Sequence, residues 1–180
     1  MRLFIGIPLS PELRQHLIQA WGKLSEQPGR YRPTPPENWH LTLSFLDEVT
    51  EPKVQTLAEL IAQGTEKTPQ GALLINRFET FPAKRPTHVT ARAQPEQPET
   101  WKNFVAQLRD FASLAAPDID RKPWTPHVSI GRAEKGVVLP EWQRGIETFA
   151  WRPTEFCLVK STLTAHGSAY ECLYTYPLGL

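Results

Sequence analysis

Trp39-His40-Leu41-Thr42-Leu43-Ser44-Phe45-Leu46 alternates polar and apolar residues with a period of two, the pattern of a β-strand with one buried face. Pro126-His127-Val128-Ser129-Ile130-Gly131 repeats the pattern in the second half of the chain. Side chains at positions i and i+2 of a strand point to the same face. Each strand therefore presents a histidine and a hydroxyl residue on one face and packs its aliphatic residues on the other.

The segments around these two strands predict an α+β fold. Apolar residues at helical spacing predict helices over about 11–25, from Thr50 onward and near 98–114. Residues 26–37 are polar and proline-rich, which is typical of a loop. The order of elements suggests hairpins, so antiparallel sheets are favoured over a doubly wound parallel sheet. The other predicted strands are Leu3–Ile7, Ala72–Phe81, Thr87–Ala93, about 154–164 and about 169–177.

A helix, a loop and a histidine strand follow one another in each half of the chain, which is a weak internal duplication. It predicts two similar lobes that each contribute one histidine strand to a shared cleft. A length of 180 residues fits one domain. We therefore expect residues 1–180 to form a single domain of two intertwined lobes, with antiparallel-rich sheets around a central cleft and helices packed outside.

The bare motif of a histidine followed two positions later by serine or threonine occurs four times, so it does not identify a site by itself. His40 and His127 stand out because aliphatic residues flank their hydroxyl partners and a proline-bearing loop precedes each. His88 is the main alternative, because Thr87–Ala93 is also strand-like. His166 lies at a glycine-containing turn, where the strand argument does not apply. The commoner role for any single strand histidine is a solvent-facing or hydrogen-bonded residue.

Two imidazoles in one site, one neutral and one protonated, supply a general base and a general acid near neutral pH. The hydroxyls of Thr42 and Ser129 can donate hydrogen bonds to phosphate oxygens, where charge accumulates in the transition state. This combination favours phosphodiester cleavage without a metal. The base activates a water or a hydroxyl, and the acid protonates the departing alkoxide.

Composition and charge exclude several classes of protein. The 20 Lys and Arg residues are balanced by 19 Asp and Glu residues, so binding of long nucleic acid mainly through non-specific phosphate contacts is not expected. A local basic cluster would still suffice for a nucleic-acid end. No apolar run approaches the ~20 residues that span a bilayer, and Leu3–Leu9 is too short for a signal peptide. Cys157 and Cys172 do not make a disulfide scaffold, so we expect a cytoplasmic protein with free thiols.

Other catalytic schemes lack their residues. There is neither an HExxH motif nor a Cys/His cluster, and no carboxylate near His127 matches Asp47 after His40, so no metal site is expected. A GxSxG nucleophile elbow is missing, which argues against a Ser-His-Asp hydrolase. The chain has no GxGxxG motif and no P-loop, so the nucleotide cofactors bound by those motifs are not expected.

Basic and aromatic residues near the two strands could contact a nucleotide substrate. Arg132 follows Ser129 by three residues and is the strongest candidate for a phosphate contact. Ordinary surface charge is the alternative for the basic residues on the preceding loops, which are Arg30, Arg32, Arg85, Arg121 and Lys122. The aromatic side chains that could stack on a base are Trp39, Trp124, Phe45 and Tyr170. Core packing is the alternative for the tryptophans, and it is the favoured interpretation for Phe45.

The residues around the two motifs resemble the two-histidine phosphoesterases, and most closely the bacterial RNA 2′,3′-cyclic phosphodiesterases, also named 2′-5′ RNA ligases. Asn38–Val49 resembles the first motif with its flanks, and Pro126–Arg132 resembles the second. Ser129 stands where threonine is more usual, which preserves the hydroxyl. The resemblance extends over most of the chain through Arg2–Ile7, Ser161, Gly167 and Tyr170.

The resemblance implies a two-lobed α+β fold with both motif histidines in its central cleft. It implies that His40 is the proton donor to the leaving 3′ oxygen and that His127 is the proton acceptor that activates water. Thr42 and Ser129 would bind the phosphate oxygens, and the product would be a 2′-phosphomonoester. The further substrate-binding candidates are Arg132, Phe45 and Tyr170. No metal or cofactor is implied, and the reverse reaction would be 2′-5′ RNA ligation.

The expected partners are RNA ends or oligoribonucleotides that carry a cyclic phosphate, bound by a cytoplasmic monomer without membrane association. Two alternatives stay open. One is a non-catalytic protein that binds RNA ends, and the other is a phosphodiesterase that acts on a small cyclic nucleotide or sugar phosphate. Two titrating groups favour an enzyme, because binding alone does not require both.

Overall fold

The computed structural model describes residues 1–65, 67–165 and 167–179. Strands and helices follow one another in the mixed order of an α+β fold, so the predicted class is confirmed. In chain order they are β1 (Arg2–Pro8), α1 (Pro11–Gly22), β2 (Tyr31–Pro33), β3 (His40–Glu48), α2 (Val54–Gln63), β4 (Leu73–Phe81), β5 (His88–Pro95), α3 (Pro98–Ser113), β6 (His127–Ala133), β7 (Gln143–Trp151), β8 (Glu155–Thr164) and β9 (Gly167–Pro177).

The nine described strands form one sheet in the order β7-β4-β5-β6-β3-β1-β8-β9, with β2 paired to the end of β6. Every pairing is antiparallel, as predicted. Long ladders hold each half of the sheet together. The two halves meet where β3 and β6 share one Cα pair, Leu41 with Val128.

Helices α1 and α3 begin where their sequences predict, whereas α2 begins at Val54, after a 3-10 turn over Glu51–Lys53 that follows Thr50. The Ser10 hydroxyl accepts a hydrogen bond from the Leu13 N–H at 3.2 Å, and Pro11 occupies the first turn, where its missing N–H costs nothing. A proline also opens α3. Each helix buries apolar residues of one face in the main core, although Ile18 of α1 stays exposed. No helix in the described part of the chain is long and apolar enough to cross a membrane.

One core cluster joins the helices to one face of the sheet. It includes the aliphatic residues that alternate along the two histidine strands, namely Leu41, Leu43, Val128 and Ile130, each no more than 2% exposed. The histidine and hydroxyl residues between them consequently point to the opposite face, which we call the open face. Burial of the aliphatic side thus determines the orientation of the polar side.

Three local predictions differ from the structure. Residues 26–37, predicted as a loop, contain the three-residue strand β2, which forms because Tyr31 and Arg32 pair across to β6. β7 was not predicted, because most of its side chains are exposed and its sequence lacks a regular apolar alternation. α1 ends at Gly22 and not near residue 25 as predicted. The N–H of Lys23, the residue after the helix, donates a hydrogen bond to the Gln19 carbonyl.

Candidate active site

Leu41 and Val128 fix the geometry of the open face at the junction of β3 and β6. They are paired in antiparallel register, and both side chains are fully buried in the core. Residues on either side of a paired position point to the other face of a sheet. The four residues that flank this pair, one on each side in each strand, therefore share the open face.

Those four residues are the predicted ones. Antiparallel register around the central pair sets His40 opposite Ser129 and Thr42 opposite His127. The sheet thus brings together two imidazoles and two hydroxyls at alternate corners of a small quadrilateral.

The same kind of contact orients each imidazole, a hydrogen bond between Nδ1 and the backbone carbonyl two residues earlier. His40 Nδ1 lies 2.8 Å from the carbonyl oxygen of Asn38, and His127 Nδ1 lies 2.7 Å from that of Thr125. A carbonyl oxygen only accepts hydrogen bonds, so Nδ1 carries the proton in both rings. Nε2 is then the nitrogen that changes protonation, as a base when neutral and as an acid when charged.

A phenylalanine ring packs against each imidazole, Phe4 from the adjacent strand β1 and Phe81 from the end of β4, two strands away from β6. The centroids of Phe4 and His40 are 4.6 Å apart, and those of Phe81 and His127 are 4.9 Å apart, with similar tilts of 30° and 34°. Tyr170 meets the His40 ring edge-on at 5.1 Å. These rings restrict the rotation of both imidazoles and shield them from water.

Burial lowers the pKa of both site histidines below the ordinary value of 6.5. For His40, the Asn38 carbonyl opposes the effect of burial, and the nearby His127 adds to it. For His127, the Thr125 carbonyl opposes burial, whereas the positive charge of Arg92 lowers the pKa further. Desolvation disfavours the charged imidazolium. The ligand-free site consequently favours neutral rings.

The strands β3 and β6 diverge beyond the central pair because other groups use the free edge of β3. The indole N–H of Trp124 donates to the Thr42 carbonyl at 3.0 Å, and Arg109 donates to the Leu43 carbonyl at 3.2 Å. The Asp120 N–H donates to the Phe45 carbonyl at 3.1 Å. The loop before His127 is thereby attached to β3, which holds the two imidazole strands in a fixed relation.

The two hydroxyls are available for a ligand. Within residues 1–65, 67–165 and 167–179, no hydrogen bond engages the side chain of Thr42 or Ser129, and both residues are partly exposed. The hydroxyl of a serine or threonine has one donor proton that rotates to suit its acceptor. Both can therefore donate to an oxygen bound between the imidazoles.

His88 also lies on the open face, but its two ring nitrogens are occupied. Nε2 accepts a hydrogen bond from Arg132 Nε at 3.0 Å, and Nδ1 lies 2.9 Å from the Thr87 hydroxyl. The ring therefore has no nitrogen left for a substrate proton. His166, the fourth histidine of the motif set, lies outside the described residues.

The loop arginines and the aromatic residues take different positions. Arg30 and Arg121 meet surface carboxylates at 3.5 and 3.7 Å, in line with ordinary surface charge. Trp39 is buried and Trp124 stacks on another tryptophan of the core, as their core-packing interpretation requires. The same interpretation is wrong for Phe45, which is 51% exposed beside Phe4 on the open face, because a bulge in β3 turns it away from the core.

The groups that orient the imidazoles were not predicted. Phe4 and Phe81 reach the site through strand pairings between distant parts of the chain, and no local pattern indicates such contacts. The carbonyls of Asn38 and Thr125 are backbone groups that any residue supplies. Their position two residues before each histidine, at the point where a strand begins, is the one available signal.

Both cysteines are free, and they share a neighbour. The Thr175 hydroxyl lies 3.8 Å from the sulfur of Cys157 and 3.3 Å from that of Cys172. Burial raises the pKa of Cys157 to about 12, so this sulfur stays a thiol at neutral pH. Among the described residues, no group of three or more His, Cys, Asp or Glu side chains is placed to hold a metal ion.

Known proteins are similar to this chain in sequence and fold. The family described as LigT like Phosphoesterase matches residues 7–90. A Thermus thermophilus protein named RNA 2′,3′-cyclic phosphodiesterase is 30% identical over 187 residues, which cover 99% of this chain and 90% of that protein. A Thermotoga maritima protein of the same name is 28% identical over 179 residues, covering 97% and 94% of the two chains.

A solved structure agrees with these relatives. The crystal structure of Escherichia coli LigT complexed with NADP+ superposes with a TM-score of 0.73 at 27% identity, and the match covers 99% of this chain and 98% of that chain. The likeness thus includes both histidine strands and every element around them. This chain belongs to the LigT-like phosphoesterases, and the family resemblance expected from its two histidine motifs is confirmed.

Proposed function

We propose that this protein hydrolyses the 2′,3′-cyclic phosphate ends of RNA to 2′-phosphomonoesters. The observation that carries the proposal is the pair of imidazoles on one face, each with Nδ1 held by a carbonyl and Nε2 left for proton transfer. The names of the Thermus and Thermotoga relatives support RNA cyclic phosphate as the substrate class. The nucleotide bound to the E. coli relative supports a site of nucleotide size.

The proposed reaction needs one proton donor and one acceptor. Neutral His127 takes a proton from water through Nε2 as the water oxygen forms a bond to phosphorus. The bond from phosphorus to the 3′ oxygen breaks, and protonated His40 gives its Nε2 proton to that oxygen. The products are a 2′-phosphomonoester and a 3′ hydroxyl, and both imidazoles return to their starting states by proton exchange with solvent.

The hydroxyls of Thr42 and Ser129 stabilise charge in this scheme. A phosphate seated between the imidazoles presents its non-bridging oxygens to the two remaining corners of the quadrilateral. Donors fixed where charge develops contribute about 10²–10³ in rate when compared with their removal. The bound anion also stabilises imidazolium, which supplies the protonated His40 that the buried, ligand-free site disfavours.

The ribose and base of the substrate have candidate contacts on the His40 side. Phe45 and Tyr170 are exposed aromatic residues there, at 51% and 38%. Both pack around Phe4, next to His40. Aromatic faces accept any base by stacking, so these residues suit an RNA end of variable sequence. The same site would run in reverse when a 5′ hydroxyl replaces water, which gives 2′-5′ ligation.

A single chain supplies the whole site, so we propose that the protein acts as a monomer in the cytoplasm. Both imidazoles and both hydroxyls come from β3 and β6. We also propose that the chain is one domain of two intertwined lobes, because β1 and β8 from opposite ends of the chain pair with each other. Unpaired cysteines fit a reducing compartment. Light scattering after gel filtration measures the molar mass in solution and so tests whether the protein is a monomer.

The test is an assay with an oligoribonucleotide that ends in a 2′,3′-cyclic phosphate, carried out in EDTA. The wild type is compared with His40→Gln and His127→Gln, and the 2′- and 3′-phosphate products are separated. His16→Gln is the matched control, because His16 lies on α1 and contacts β7, away from the site. We expect 2′-phosphate from the wild type and the control, and a loss of at least about 10³-fold in each site variant.

Each other outcome contradicts a defined part of the proposal. Turnover that survives loss of either imidazole rules out the paired acid and base. Wild-type binding of the oligonucleotide without any product favours a protein that binds RNA ends. Turnover of a small cyclic nucleotide but not of the oligonucleotide changes the substrate and keeps the chemistry.

A further inference from the structure

His88 and Arg132 form a side-chain pair on the open face that the proposed reaction does not use directly. The two residues are direct partners in the β5–β6 pairing. Val89 pairs with Gly131 next, and after a register shift Thr90 pairs with Ser129, toward the site. The register places His88 on the same face as Thr90, so their partners Arg132 and Ser129 also share that face.

The hydrogen bonds of His88 define its proton. Arg132 Nε–H donates to His88 Nε2 at 3.0 Å, so Nε2 is the acceptor. Nδ1 then carries the ring proton and donates it to the Thr87 hydroxyl, 2.9 Å away. The backbone reinforces this arrangement, because the Ala133 N–H donates to the Thr87 carbonyl at 2.8 Å.

The ring stays neutral at the pH of most cells. Burial lowers the pKa of His88 to about 4; Arg132 and His127 act in the same direction, and the backbone of Phe81 opposes them. A neutral imidazole accepts from a guanidinium without cancelling its charge, whereas a carboxylate in the same position would cancel it. Within the described residues, no carboxylate lies within ion-pair distance of Arg132.

A guanidinium tied through Nε keeps its two terminal nitrogens for a ligand. Those two nitrogens form a planar fork that matches two oxygens of a phosphate. Without a partner, the exposed Arg132 side chain would sample many rotamers, and binding would have to freeze them. The hydrogen bond from Nε to His88 restricts these rotamers before a ligand binds, so less conformational entropy is lost on binding.

We propose that His88 is a positioning residue that holds Arg132 as a charged, pre-oriented fork for a phosphate group of the substrate. The inference rests on the proposed function for its substrate and on the pair itself for its geometry. It assigns His88 no proton-transfer step. It also gives a reason for an imidazole at this place, because the position needs an acceptor that remains uncharged.

The first test looks at the pair without any substrate. Long-range ¹H–¹⁵N NMR of the wild type reports which ring nitrogen of His88 carries the proton. We expect the Nδ1–H form to persist down to pH 5 in the wild type, and the ring to titrate at a higher pH in Arg132→Ala. A wild-type His88 that titrates near 6.5, or that ignores the loss of Arg132, overturns the proposal.

The second test separates ligand binding from turnover. The probe is 2′-AMP, whose affinity is measured by calorimetry beside KM and kcat for the cyclic-phosphate oligonucleotide. His88→Phe removes the acceptor, and His88→Gln keeps an amide oxygen near the same place. We expect His88→Phe to weaken 2′-AMP binding and raise KM about tenfold with kcat within about twofold. His88→Gln should remain within about threefold of the wild type.

A double-mutant cycle decides whether the effect passes through Arg132. In an Arg132→Ala background, His88→Phe should cause no further loss of 2′-AMP affinity, because the residue it positions is gone. An equal loss in both backgrounds overturns the proposal. A large fall in kcat with a changed pH profile would instead make His88 a catalytic residue. If the wild type binds 2′-AMP but does not hydrolyse RNA ends, the proposed function is wrong. The double-mutant cycle then still tests whether His88 acts through Arg132.

Discussion

Leu41 and Val128 form the one Cα pair through which β3 meets β6, and the four site residues flank it. On one side of this pair, β3 bonds to the loop before His127, and on the other side β6 bonds to Thr34 and β2. The distance between the imidazoles therefore depends on two aliphatic side chains packed in the core. The geometry of the proposed active site and the packing of the core are coupled at this point.

Leu41→Ala should destabilise the protein and impair activity together. Truncation of a buried leucine leaves a cavity and costs about 2–5 kcal/mol. Urea unfolding monitored by circular dichroism measures the stability. Leu163→Ala is the control, because Leu163 is 84% exposed, and its free energy of unfolding should change by less than about 0.5 kcal/mol. Equal stability of the two variants would show that the junction does not depend on this packing.

Thr42→Val should reduce kcat by about 10²-fold, because the methyl group replaces the hydroxyl at nearly constant shape and removes one donor to the phosphate. Thr42→Ser keeps the hydroxyl and should stay within about threefold of the wild type. Steady-state kinetics with the cyclic-phosphate oligonucleotide provide the comparison. If valine and serine are equally active, the hydroxyl does not contact the charge that develops in the transition state.

The pH dependence of kcat/KM should give a bell-shaped curve with an alkaline limb centred below pH 6.5. This parameter reports the free enzyme, in which burial lowers the pKa of both His40 and His127. Activity falls as the pH rises because the proton donor is lost, and it falls in acid because the acceptor becomes protonated. The two limbs belong to the interacting pair and not to either ring alone.

The alkaline limb of kcat should lie at a higher pH than that of kcat/KM, because the bound phosphodiester anion favours imidazolium. Initial rates from pH 4.5 to 8.5, at saturating and at low substrate concentration, measure both parameters. A kcat/KM that is flat from pH 6 to 8 would contradict the assignment of a buried imidazolium as the acid.

Much of the site could be predicted from the sequence, because a period of two fixes which residues of a strand share a face. His40 and Thr42 form one such pair, and His127 and Ser129 form the other; strand pairing then sets the two pairs on one face. Contacts that arise from register between distant strands could not be predicted. Phe45 shows the same limit, since one bulge in β3 moves it from the core to the open face.

Gly6 occupies the position in β1 that lies opposite Thr42. A Cβ atom at this position would lie 2.9 Å from Phe4 Cε2 and 3.4 Å from His40 Cδ2. The first distance is too short, so the phenyl ring must move. The glycine therefore makes room for the contact that holds the His40 imidazole.

Gly6→Ala should lower kcat about tenfold with a smaller relative effect on KM, because a displaced Phe4 ring no longer fixes the proton donor. Less shielding of His40 should also raise its pKa and move the alkaline limb of kcat/KM upward. Gly145→Ala is the matched control, since Gly145 lies in β7 with nothing within 4 Å of an added Cβ. The measurements are steady-state kinetics across pH and thermal unfolding of both variants. Loss of stability in Gly6→Ala with an unchanged pH profile would show that the glycine serves packing alone.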